Sequence, residues 1–400
     1  MSEWLVETIG ELCDLGNGKV QTGPFGSQLH QSDYQAEGYP FVMPKDILNG
    51  RIDESSIARV SINHVERLSK HRLSFGDIIY GRRGDIGRQA LVRQENVGWL
   101  CGSGCLRISL GDAPIDPKFL HLYLKLPEVM AWVENQAIGA TMPNLNTKIL
   151  RSVPIRYPSN INQQQQIVAI VSAYDDLIEN NDRRIVLLEK MAEEIYREWF
   201  VRLRFPGREQ VTFHKGIPED WEIKKLAGIV ELAYGKALKE EDRVPGVYTV
   251  FGSSGIVGTH KNYLVKAPGL IVGRKGNVGS IHWSEQDFYP IDTVYYVKSN
   301  LSLYFLFFLL KSLNFINNDA AVPGLNRGQA YANKFYLPPQ SLIDKYVEIA
   351  KNIFDCKSHL KKQNEILKQT RDRLLTRLIS GKLSVEDLDI QFPPSMTADP

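Results

Sequence analysis

The chain is written twice, and that duplication constrains its fold more than any other feature. Trp4-Leu-Val-Glu-Thr-Ile9 resembles Trp221-Glu-Ile-Lys-Lys-Leu226, and Gly18-Lys19 answers Gly235-Lys236, both at an offset of 217 residues. Gly81-Arg-Arg-Gly-Asp-Ile-Gly87 answers Gly273-Arg-Lys-Gly-Asn-Val-Gly279 at offset 192. Ala140-Thr-Met-Pro-Asn-Leu-Asn146 answers Ala320-Ala-Val-Pro-Gly-Leu-Asn326 at offset 180, as does Pro158 to Pro338. Motif order is the same in both copies, so one supersecondary plan is used twice. The offsets shrink from 217 to 180, so the first copy carries about 37 more residues in its loops.

Each copy is a globular block followed by a long polar segment of helical period. The expected divisions are a first block at 1–160, a central helical region at 161–204, a second block at 205–340, a C-terminal helical region at 341–385 and a tail at 386–400. Short β-rich runs (Phe75–Tyr80, Val247–Phe251, Thr293–Val297) lie between glycines and prolines. A shorter helical stretch closes each block, near 118–135 and 301–314. The fold class is therefore α+β: two similar domains separated by two long helices.

Heptad spacing gives each long helix an apolar seam. The first places Val171, Ile178, Ile185, Ala192 and Trp199 on one line, and Tyr174, Asn181, Leu188 and Ile195 on the other. The second offers Tyr346, Ile353, Leu360, Leu367 and Leu374, with Ile349, Cys356, Gln363 and Thr370 beside them. An amide falls near the middle of each seam, Asn181 and Gln363, where it can fix register. Residues 164–200 hold four basic side chains against eight acidic, and residues 351–382 nine basic against three acidic. Opposite charge favours pairing the two helices as an antiparallel coiled coil with a pseudo-two-fold axis; separate helices docked on their own blocks are the other reading. A helix of roughly 37 residues is about 55 Å long and could hold two modules a fixed distance apart.

Two similar modules on a rod suit a linear, quasi-symmetric ligand, and duplex DNA offers half-sites one turn apart. The basic tips fit: Arg82, Arg83, Arg274 and Lys275 sit between glycines that let a backbone approach a phosphate. Arginine can also read guanine in the major groove, and Asn144, Asn146 and Asn326 could pair with adenine, with Arg327 adjoining the last. A glycine-bounded Arg can equally be a plain solvated hairpin tip, and a loop Asn can cap its own backbone. With Lys+Arg 48 against Asp+Glu 46, the whole surface is no polyanion trap, which leaves a local basic groove.

At this point the sequence resembles the specificity subunit of type I restriction–modification systems. The carrying pieces are Gly23-Pro-Phe-Gly-Ser27, Val250-Phe-Gly-Ser-Ser-Gly255 and the paired loops Gly81–Gly87 and Gly273–Gly279. The most specific is Gly139-Ala-Thr-Met-Pro-Asn-Leu-Asn146, continuing through Val153-Pro-Ile-Arg-Tyr-Pro158 into Gln163-Gln-Gln-Gln-Ile167. The resemblance runs to about Ser384. It implies two target-recognition domains that each read half of a split double-stranded DNA site, with a helical pair setting the gap. It also implies docking of two methyltransferase subunits and of restriction/translocase subunits. S-adenosylmethionine, ATP and magnesium then belong to those partners, with no cofactor, metal or catalytic residue on this chain. The blocks differ in their loops, so the implied site is asymmetric.

The residues themselves offer no other chemistry. No phosphate loop or dinucleotide fingerprint is present, and the Pro-Pro pairs have the wrong flanks for an amino-methyltransferase. Glu222-Ile-Lys224 lacks a preceding Pro-Asp. Cys101 and Cys105 have no second pair and read as buried thiols, and His64 and His71 as a solvated face. Four cysteines make no disulfide framework in 400 residues. The acidic start does not suit a signal peptide, and Leu301–Leu310 is half a membrane span at best, so a cytoplasmic, membrane-free protein is expected. A coiled-coil scaffold binding only proteins is the alternative in another class; it would show no salt-dependent DNA affinity.

Overall fold

The structure is a computed structural model that describes residues 3–25, 27–83, 86–137, 144–315 and 324–397. Several motif residues lie outside these: Gly26, Gly84, Asp85, residues 139–143 and residues 320–323. The chain forms two compact units, Met1–Glu179 with Glu365–Pro400, and Asn180–Asn364.

The first unit is built on a four-stranded antiparallel sheet in the order Asn17–Thr22, Cys105–Gly111, Ile78–Gly81, Gln89–Leu91. Ile78, Ile79 and Tyr80 are buried on both faces, which suits a run of β-formers to a central strand. A second sheet orders Ala58–Val60, Tyr39–Val42 and Leu100–Cys101, the last two parallel. Trp4–Thr8 pairs with Pro154–Pro158 just before the long helix begins.

The second unit repeats this plan strand for strand. Its four-stranded sheet runs Glu231–Tyr234, Val294–Lys298, Gly269–Gly273, Ile281–Ser284. Its three-stranded sheet runs Gly255–His260, Tyr248–Gly252, Phe288–Pro290, again with the last two parallel. Glu222–Lys225 pairs with Lys334–Leu337.

The strand plan corrects one sequence pairing. The counterpart of Gly235 is Gly23, not Gly18. Gly23 N donates to Cys105 O at 3.0 Å, and Gly235 N to Val294 O at 3.2 Å. A Cβ on Gly23 would lie 1.8 Å from Gly102 O, and one on Gly235 would lie 2.1 Å from Ile291 O, so only glycine fits either place. The register slips because Thr8 and Glu11 form a capping box that starts a helix, Ile9–Leu15, where the second copy makes only the turn Leu226–Gly228. The other extra residues of the first copy include the hairpin Ile47–Leu48/Arg51–Ile52 and the helix Ile62–Arg67. The expected helix near 118–135 is two, Pro117–Tyr123 and Pro127–Gln136. Leu126 precedes a proline and stays extended, with ψ 134°. The apolar run near 301–310 becomes the helix Leu303–Ser312, whose residues 305–310 are all buried in the second unit's core. Among the described residues, no helix is long and apolar enough to cross a membrane.

The two long helices are Ile161–Tyr196 and Gln340–Ile379. Within the first unit, Ile167, Val168 and Val171 share a core with Leu375, Leu378 and Ile379, and Arg371 meets Asp175 at 2.6 Å. Within the second unit, Ala192 and Tyr196 share a core with Ile343, Tyr346 and Ile353, and Tyr346 Oη donates to Ala192 O at 3.1 Å. In both units low numbers meet high numbers, so the pairing is antiparallel. The tail also packs on the first unit: Met396 joins its core, and Lys118 Nζ donates to Ser395 O at 3.1 Å.

On the first helix Val171, Ile178, Asn181 and Ala192 are buried, and Tyr174, Ile185, Leu188, Ile195 and Trp199 half-buried. On the second, Tyr346, Ile353 and Leu360 are buried, and Leu367 and Leu374 half-buried. Its other line runs one residue later than the sequence suggested. Ile349, Cys356 and Gln363 are exposed and Thr370 is half-buried, whereas Ala350, Lys357, Asn364 and Leu378 are buried. The apolar ranking chose the wrong line because the true one carries polar groups whose partners are on the facing helix. Asn181 Nδ2 donates to Asn364 Oδ1 at 2.9 Å, and Asn364 Nδ2 to Asp182 Oδ1 at 2.8 Å. Asn364→Ala should cost about 1–3 kcal/mol by stripping Asn181 of this acceptor. Replacing both Asn181 and Asn364 with Leu should cost less than the single change. Chemical denaturation of the three proteins checks the order.

Lys357 is buried and donates to Glu189 at 2.6 Å, and Lys311 donates to the same carboxylate at 2.9 Å. Burial would raise the Glu189 carboxyl, but the hydrogen bonds from Lys357 and Lys311 outweigh it and hold it at about 2. Its folded value is thus depressed, so its contribution is full above the ordinary value of 4.5 and is lost as pH falls toward about 2. Glu189→Gln should be less stable near neutrality by on the order of 1–2 kcal/mol, allowing for solvent screening. The gap to wild type should close as the solution is acidified through that window, as thermal unfolding at several pH values can show.

Candidate nucleic-acid interface

The central strand of each four-stranded sheet ends in a basic tip. In the first unit Ile78–Gly81 delivers Arg82, whose backbone N donates to Gly104 O at 2.8 Å and whose O accepts from Leu145 N at 3.0 Å. Arg83 bridges to Asn144. In the second unit Gly269–Gly273 delivers Arg274, whose N donates to Thr293 O at 2.9 Å and whose O accepts from Leu325 N at 2.7 Å. Lys275 bridges to Gly324. Gly81 N to Arg88 O and Gly273 N to Ser280 O, both 2.8 Å, close the two loops in the same way. One main-chain framework therefore fixes an arginine in each unit, whatever the side chains around it.

Those side chains differ. Arg82 is half-buried and its Nε donates to Asn144 Oδ1 at 3.1 Å, while Arg83 is exposed. Arg274 is half-buried, donates to Asp292 O at 2.9 Å, and lies over the rings of Tyr234 at 5.1 Å and Tyr295 at 5.8 Å. Arg327 lies over Tyr234 at 5.1 Å, and Lys275 is exposed. Burial and the Tyr234 hydroxyl raise the Tyr295 phenol, whose Oη donates to Leu325 O at 3.1 Å.

Asn146 and Asn326 are exposed, but as helix caps. Asn146 Oδ1 accepts from Ile149 N at 2.9 Å and Asn326 Oδ1 from Gly328 N at 2.8 Å. They turn the chain from each tip into the helices Thr147–Arg151 and Arg327–Ala332, which is the local role open to a loop asparagine. The sequence reading missed Tyr234, although an aromatic directly before the obligatory Gly235 was a visible signal.

Other sequence candidates lie away from the tips. Cys101 and Cys105 are buried, and burial pushes the Cys101 thiol up to about 12 and Cys105 well above its ordinary value. His71 is buried, contrary to the solvated face expected of it. Burial and then Lys70 and Arg107 lower it to about 4, so it is neutral at pH 7. His64 is half-buried and meets Ser61 Oγ at 2.8 Å. Glu222 and Lys224 pair with each other on the strand Glu222–Lys225. Among the described residues, no three His, Cys, Asp or Glu side chains group as a metal would require.

The family described as "Type I restriction modification DNA specificity domain" matches residues 1–190 and 218–374. The chain belongs to that family. The MjaIX specificity subunit of Methanocaldococcus jannaschii, a type I restriction enzyme subunit, is 24% identical over 96% of this chain and 95% of its own. The EcoBI specificity subunit of Escherichia coli is 27% identical over 41% of this chain and 37% of its own. The crystal structure of the type I restriction–modification S subunit from M. genitalium shares the fold, with TM-score 0.53, 20% identity and coverage of 94% of this chain and 96% of that one.

Proposed function

We propose that this chain is the non-catalytic DNA-reading subunit of a cytoplasmic type I restriction–modification complex. It reads an asymmetric two-part site in double-stranded DNA, one part with each unit. Its helical pair docks two methyltransferase subunits, and restriction/translocase subunits join them. S-adenosylmethionine serves the methylating partners, ATP and magnesium the translocating ones.

The observation that carries this reading is the repeated backbone framework that fixes Arg82 and Arg274 amid unlike neighbours. A constant scaffold with variable surroundings is what two half-sites of different sequence require: phosphate contacts set position and side chains set sequence. Arg83 and Lys275 are the exposed cations beside them, and Asn144 orients Arg82.

The test is a footprint of the chain assembled with its methyltransferase subunits on duplex DNA. Two protected elements of unlike sequence are expected, with affinity falling as salt rises. Assembly without any DNA affinity would instead support a scaffold that binds only proteins.

A further inference from the structure

Tyr234 ends the strand Glu231–Tyr234 with its side chain 49% exposed, and two guanidiniums share its ring, Arg274 and Arg327, each 5.1 Å from the centroid. The Arg274 guanidinium also donates to the main-chain oxygen of Asp292. The described residues give neither guanidinium a carboxylate partner. Two like charges over one ring repel each other, and the ring's negative face offsets only part of that. An anion within reach of both guanidiniums would offset the rest. Guanidiniums bind phosphate oxygens through paired N–H donors, so a phosphodiester is the anion this geometry suits.

Among its described residues, the first unit has no equal. Its framework places Thr22 where the second has Tyr234, because Thr22 faces Leu106 as Tyr234 faces Tyr295. It places Thr147 where the second has Arg327, since Leu145 and Leu325 make the same bond to the tip arginine. Among the described residues, no aromatic ring lies beneath Arg82, which rests on Asn144 instead.

We propose that Tyr234 is a positioning residue that seats Arg274 and Arg327 as a clamp on one DNA phosphate, which gives the second block the stronger sequence-independent grip. This rests on the DNA-reading role proposed above. The clamp anchors the second half-site whatever its sequence, and the first block must rely more on its base contacts.

The test is the salt dependence of binding to a random-sequence duplex by the full chain assembled with its methyltransferase subunits. Each phosphate contact contributes about 0.9 to the slope of log K against log salt. Arg274→Ala and Arg327→Ala should each lower the slope, by about 1 together if they share one phosphate. Tyr234→Ala should reproduce the loss, and Tyr234→Phe, which keeps the ring, should restore the wild-type slope. Thr147→Ala and Thr22→Ala should leave it unchanged. A wild-type slope for Tyr234→Ala, with a reduced one for the arginine variants, would overturn the positioning role. Unchanged slopes for both arginine variants, with a loss for Arg82→Ala, would overturn the clamp and leave the DNA-reading role standing. Absence of DNA binding by the unaltered complex would remove both.

Discussion

Replacing Arg82 and Arg274 together with alanine is expected to weaken binding of the assembled complex to its own site by about 2–6 kcal/mol, or roughly 30-fold to 2 × 10⁴-fold. Each arginine is worth about 1–3 kcal/mol whether it grips a base edge or a phosphate, and the two frameworks share no residue, so the losses should add. Folding should survive, because main-chain bonds to Gly104, Leu145, Thr293 and Leu325 hold the tips without the guanidiniums. Anisotropy titration at fixed salt measures the loss. Unchanged affinity in the double variant would remove the tips from the interface.

The largest loss of stability is expected from Phe308→Ala. Phe308 is 2% exposed, with ring centroids of Phe307 at 4.9 Å, Tyr196 at 6.0 Å and Phe354 at 6.2 Å. It joins the helix Leu303–Ser312 to both long helices inside the second unit, so truncation leaves a cavity that three elements would have to collapse to fill. A cost of about 3–5 kcal/mol follows, a large part of what holds a domain together. Trp283, whose ring lies 4.8 Å from Phe354 and 6.0 Å from Phe307, reports the change by fluorescence. Thermal melting should show the Trp283 environment lost at lower temperature than in wild type.

The duplication and the basic tips were legible because they rest on backbone demands. A Cβ on Gly273 would lie 2.1 Å from Asn277 O, so the turn there needs glycine, and Gly81 stands at the same place in the first copy. The pairing of the long helices was legible in their opposite charge, and Arg371 with Asp175 and Lys357 with Glu189 are pairs of that kind. What sequence pattern missed follows from tertiary context. Lys357 and Asn364 are buried in a seam that an apolar ranking assigns to Cys356 and Gln363, since partners on the facing helix, among them Glu189, Asn181 and Asp182, make their burial tolerable. Gly23 was passed over for Gly18 because a capped helix in one copy and a bare turn in the other shift the count. Asn146 and Asn326 cap helices through their Oδ1 atoms, the role the sequence left open beside base reading. Tyr234 gains its meaning from Arg327, far along the chain, which no local pattern links to it.

We propose that one framework, used twice, reads two independent half-sites. It is tested most directly by exchanging residues 205–340 for the matching block of another family member and sequencing the methylated bases in DNA from cells that carry the hybrid with its partner subunits. The expected target has one half replaced and the other kept. A target altered in both halves, or in neither, would contradict it.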